Sequence, residues 1–174
     1  MQAPLYPWLT RDLLLGRPTV GSLMGLCEGN YALLRRLVPG LNRIQGAHRA
    51  SCPGDLDLHL DVLEQAPYTS TVRLTYLFAS LGDATRRQAE PDACLRAYHD
   101  ARQVEVLGLS PKSLPMLRDP DEPLLLDKWR VNLFLAKWLG YCAQQGYRFD
   151  CAERDEPPHG ARSLGAIARL AACP

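Results

Sequence analysis

The groups best suited to chemistry in this chain lie together at Tyr98-His99-Asp100-Ala101-Arg102. A histidine beside a carboxylate can act as a general base with its tautomer fixed. An arginine can clamp a phosphate or carboxylate through two parallel N–H donors. With Arg96 added, the set would suit a phosphate- or carboxylate-bearing metabolite, such as a nucleotide. The bland alternative is a hairpin in which Asp100 makes an Asx-type turn, flanked by His99 and Arg102. Neighbouring residues on a strand point to opposite faces, which works against a His99–Asp100 dyad.

Two further sets carry polar chemistry. Asp57, His59 and Asp61 alternate along Leu56-Asp57-Leu58-His59-Leu60-Asp61-Val62, which places them on one strand face roughly 6–7 Å apart. They are acceptable metal ligands by type, but one ion needs all its ligands near ~2 Å. The polar face of a half-exposed strand is the simpler reading, and no metal and no cofactor are expected. Glu28, Asn30, Arg35 and Arg36 lie on a helix and could recognise a partner. Arg35 and Arg36 equally suit solvated cations in a last helical turn. Trp129, Phe134 and Trp138 recur at helical spacing, as either a docking face or core.

The six cysteines, Cys27, Cys52, Cys94, Cys142, Cys151 and Cys173, contain no CxxC pair. Scattered cysteines argue against zinc, and free thiols in a reducing cytoplasm are expected. The N-terminus has no basic region followed by an apolar run, so a secretory signal is not expected. No stretch approaches the ~18 apolar residues of a membrane span. Twenty Lys and Arg against nineteen Asp and Glu leave a net charge of +1 in 174 residues, which excludes a strongly basic nucleic-acid protein. The balance hides a polarity. Residues 1–50 carry six Arg and no Lys against Asp12 and Glu28, while residues 51–70 carry four carboxylates and neither Lys nor Arg. No GxGxxG, P-loop, HExxH or GxSxG is present.

The positioning elements follow from periodicity. A Pro- and Gly-punctuated arm covers 1–21, with a short helix at Trp8–Leu15; it either covers the aromatic helix or contacts another chain. Ser22 is a candidate N-cap for a helix over 22–38, whose Leu23, Cys27, Tyr31, Leu34 and Val38 recur at spacings of three and four. Alternation then predicts strands at 56–62 and 71–78, with Leu56 inward, and further strands at 93–98 and 104–109. A weaker strand lies at 43–50. Gly82–Pro91 reads as a polar loop and Ser110–Pro123 as a Pro-rich loop. Leu124–Gln145 is a second helix, closed by Gly146. A linker at 153–160 precedes a short helix at 163–172. Helices, then strands, then helices make one α+β domain over 22–150. It has an antiparallel sheet of four or five strands, with N-terminal and C-terminal helices packed on it.

Three segments together resemble the bacterial family called domain of unknown function 1249, the YqiB-like proteins. They are Leu26-Cys27-Glu28-Gly29-Asn30-Tyr31 running to Pro39, Arg96-Ala97-Tyr98-His99-Asp100 running to Val106, and Asn132-Leu133-Phe134 running to Cys142. The resemblance covers about residues 22–147 and implies a small cytoplasmic bacterial protein, with no activity, cofactor or catalytic residue to carry over. The first expectation is therefore a non-catalytic protein-binding or adaptor module, with a homodimer among the possibilities. The second is a binding protein or enzyme for a metabolite, using the Tyr98–Arg102 hairpin. Nucleic acid is the least expected partner, and a membrane is not expected.

Overall fold

The computed structural model describes residues 18–80, 83–110 and 124–149. The helices expected at 8–15 and 163–172, the loop at 111–123 and the linker at 153–160 lie outside these residues.

Helix α1 runs Val20–Leu37, starting earlier than its apolar stripe suggests. Thr19, not Ser22, is the N-cap, and Ser22 fills the third helical position. Thr19 Oγ1 accepts from Ser22 N at 3.1 Å and Ser22 Oγ accepts from Thr19 N at 2.9 Å. Two otherwise orphaned N–H groups are satisfied reciprocally, with Ser in the place usually taken by Glu or Gln.

Five strands follow: β1 (Ala47–Ala50), β2 (Leu58–Gln65), β3 (Thr69–Ser80), β4 (Asp83–Tyr98) and β5 (Gln103–Ser110). They form one antiparallel sheet in sequential order. Two expectations fail here. Leu56 precedes β2 and is exposed, because the chain is still turning after Gly54. The predicted loop at 82–91 is instead mostly strand, with Leu77 paired to Ala89 and Ala79 to Arg87. Backbone pairing is open to any side chain, so no alternation need mark it in the sequence. β3 and β4 thereby run on past β2, whose last partner on β3 is Tyr76, and past β5, whose last partner on β4 is Asp92.

Helix α2 (Leu124–Gln145) lies beside α1 in the same direction. Asn30 Nδ2 donates to Asn132 O at 3.0 Å, and Phe149 N–H, on the segment turning back after α2, donates to Leu37 O at 2.8 Å. Gly146, at φ +89°, makes the reversal, and Tyr147 N–H reaches Cys142 O as in a Schellman ending. Both helices cover one face of the sheet. Leu34, Leu37, Val38 and Leu41 meet Leu135, Leu139 and Cys142 above Leu60, Val72, Leu74, Leu95 and Val104. Each such side chain contributes about 1.5–3 kcal/mol by leaving water. A smaller apolar group, Leu26, Trp129, Leu133 and Ala136, joins the N-terminal halves of the helices.

Candidate functional site at the hairpin tips

One end of the sheet carries the Tyr98–Arg102 segment singled out from the sequence. β4 and β5 are joined by the four-residue turn His99–Arg102, closed by the pair Tyr98–Gln103. Its last residue, Arg102, is left-handed at φ +53°. A loop of this length is commonly built on a type I turn. His99 N–H donates to Tyr68 O at 2.9 Å, and Ala66 N–H donates to Thr69 O at 2.8 Å. The β2–β3 and β4–β5 tips are therefore fastened side by side.

His99 lies two residues after the inward-facing Ala97, so it turns toward the helices. Nδ1 is 3.1 Å from the Tyr31 hydroxyl on α1, and Nε2 is 2.8 Å from Ser70 Oγ on β3. Ser70 Oγ is also 3.0 Å from both Leu41 O and Gln65 Oε1. These two oxygens can only accept, so the single Ser70 proton goes to one of them. His99 Nε2–H then donates to Ser70, and Nδ1 accepts from Tyr31. Burial, followed by the nearby Arg35 charge, lowers the His99 pKa from its usual range, while Asp100 opposes the shift. A Ser–His contact can signal a nucleophile. Here Ser70 is completely buried, out of reach of a substrate. The trio joins α1, β3 and the β4–β5 turn.

The other sequence candidates divide by location. Asp100 and Arg102 are exposed on the tip, and Arg35 is half-buried one helical turn beyond Tyr31, donating to Asn42 Oδ1 at 3.2 Å. Arg36 and Glu28 are exposed on α1. Arg96 and Tyr98 lie on the opposite sheet face from His99. Arg96 reaches Glu64 at 3.6 Å and Thr71 Oγ1 at 3.3 Å, and Tyr98 OH donates to Glu105 at 3.0 Å. The expected convergence of Arg96 and His99 on one ligand fails because even and odd residues of β4 face apart. Asn30 is not at the surface but fully buried, clasping α2. Trp138 is buried in the core against Tyr76, with ring centroids 5.8 Å apart, and Trp129 is buried in the smaller apolar group. For these three the helical spacing marks packing.

Asp57 pairs with Arg49 at 3.3 Å, while His59 stands opposite Arg49 and Asp61 opposite Arg73 in the ladder. Among the described residues no group of three His, Cys, Asp or Glu could hold a metal ion. Cys27, Cys52, Cys94 and Cys142 are free. Cys142 lies 3.3 Å from the Tyr76 hydroxyl, and burial pushes its thiol up to about 11, so it stays protonated and weakly nucleophilic. No described helix is long and apolar enough to cross a membrane.

Sequence reasoning missed Tyr31, Gln65, Ser70 and Tyr68 as parts of this site. Tyr31 belongs to a helical apolar stripe, and Ser70 lies just before the strand predicted at 71–78. Tyr68 is 69% exposed at the β2–β3 tip. The Gln65-Ala66-Pro67-Tyr68 connection was the available signal, since an aromatic residue in a short turn has little core to enter.

The family model described as "Protein of unknown function (DUF1249)" matches residues 33–148. The "Uncharacterized protein YqiB" of Escherichia coli strain K12 is 29% identical over 133 residues, covering 74% of this chain and 91% of that protein. The protein of the same description from E. coli O157:H7 matches to the same extent. No solved structure matches the chain.

Proposed function

The chain belongs to the DUF1249 family of proteins of unknown function, and we propose that it is a non-catalytic protein-binding module that docks a partner on the paired hairpin tips. The reading rests on Tyr68, 69% exposed on a tip whose backbone is tied to the neighbouring turn by His99 N–H. Tyrosine and arginine supply much of the energy at protein interfaces, and Arg102 lies on the adjoining tip. Fixing these residues beforehand reduces the entropy lost on binding. Catalysis has less support, because the His99 ring nitrogens and the Ser70 hydroxyl are engaged in holding elements together.

A photo-crosslinking amino acid at position 68, in cells of the native host, tests the proposal. A discrete protein adduct that disappears in the Arg102→Glu chain is expected. No adduct, or one indifferent to Arg102, would refute it. A second reading, a carboxylate- or phosphate-bearing metabolite, draws on the half-buried Arg35 beside His99. It requires a thermal shift with organic acids or nucleotides that Arg35→Ala abolishes.

A further inference from the structure

The guanidinium groups of this protein are unequally partnered. Arg49 is paired with Asp57, Arg73 with Asp92 and Arg96 with Glu64. These pairs lie on or beside the strands. The arginines around the tips differ. Arg35 donates to the neutral Asn42, and Arg36, Arg43 and Arg102 are exposed and enter no ion pair among the described residues. The contacts of their neighbours bring them to one end of the molecule. Tyr31 bonds His99, and Leu41 O lies against Ser70. Asp100 is the exposed carboxylate on the same tip as Arg102. A surplus of cations beside an exposed tyrosine favours an anionic partner through steering and complementarity.

We infer that the segment docked on the hairpin tips is an acidic stretch of polypeptide. Its carboxylates meet Arg35 and Arg102, with an apolar or aromatic side chain against Tyr68. The inference rests on the protein-binding reading and specifies the partner's chemistry. A peptide fits better than a nucleic acid. Asp100 can accept main-chain N–H donors, which a phosphodiester backbone lacks, and it repels a continuous run of phosphates. Tight nucleic-acid binding also commonly uses ~6–10 phosphate contacts, more than this end offers.

Selection of a random peptide library on the immobilised full chain tests the idea, with an Arg35→Glu/Arg102→Glu chain in parallel. The expected consensus is rich in Asp and Glu. Its affinity should fall with added salt and drop ~10-fold or more for the double variant. Arg102→Glu alone, on a residue with no side-chain hydrogen bond or ion pair among the described residues, should give part of that loss, with thermal melts confirming that both chains fold. A neutral or basic consensus, no consensus, or unchanged affinity in the variants would overturn the inference. So would tighter binding to single-stranded DNA or RNA than to the selected peptides at equal salt. A crosslinked partner at position 68 without an acidic segment would remove this inference and leave the protein-binding reading standing.

Discussion

Removing one oxygen from Tyr31 tests whether His99 fastens the helix to the tips. Tyr31→Phe keeps the ring and deletes the hydroxyl that lies 3.1 Å from Nδ1. A net loss of about 1 kcal/mol is expected, typical of one intramolecular hydrogen bond. Ser70→Ala reaches further, because the lost oxygen faces Leu41 O, Gln65 Oε1 and His99 Nε2 at 3.0, 3.0 and 2.8 Å. Desolvated groups are left unpaired, and about 2–3 kcal/mol is expected. The two hydroxyls act through one ring, so in a His99→Gln background the cost of Tyr31→Phe should shrink to below ~0.5 kcal/mol. The same ring sets a pH dependence. Its folded pKa is depressed from 6.5, chiefly by burial and then by Arg35, so the unfolded chain binds more protons between the two values. The stabilisation is therefore present above the unfolded value and is lost as pH falls from 6.5 through the folded one. Protonation also makes Nδ1 a donor, forcing the Tyr31 proton to turn away. Urea unfolding of wild type, the single variants and the double variants, at pH ~7.5 and ~5, measures all of this. An equal cost of Tyr31→Phe with and without His99, or an identical pH dependence in wild type and His99→Gln, would refute the reasoning.

Three other outcomes are expected from the same denaturation assay. Thr19→Ala breaks the reciprocal cap of α1 and should cost about 1 kcal/mol, with Thr19→Asn close to neutral. Gly146→Ala should cost about 1 kcal/mol purely through its left-handed backbone, because nothing lies within 4 Å of the added carbon. Asp92→Ala removes both oxygens of the fork held by Arg73 Nε and Nη2, and about 2 kcal/mol is expected; the partial exposure of Arg73 keeps this below the cost of breaking a fully buried pair.

Much of the fold was legible because its signals are local. The stripe through Leu34 and Val38, the alternation at Leu58, Leu60, Val72 and Leu74, and the stop at Gly146 each follow from one element's own geometry. The start of α1 was misplaced because Ser22 can cap a helix or complete another residue's cap. The extension of β4 was missed because backbone pairing leaves no side-chain period. For the candidate site, the Tyr98–Arg102 hairpin was recognised, while its division between two faces needed the ladder register. Asn30 and Trp138 carry the same residue types at a surface or in a helix interface, so composition could not separate the two.

Residue order alone carries the α+β class, two amphipathic helices flanking alternating strands, because helical and strand periods are properties of the backbone. It also carries a near-zero net charge divided into basic and acidic stretches. The meeting of Tyr31, Ser70 and His99 around one imidazole comes instead from packing. Ser70 and His99 are 29 residues apart, and Tyr31 and His99 are 68 apart. Their meeting depends on strand register and on which helix face lies over the sheet. The same packing leaves arginines at the tip end without carboxylate partners among the described residues, while Arg49, Arg73 and Arg96 meet carboxylates on or beside the strands. Charge counted along a chain is blind to that difference, because an ion pair requires proximity in space.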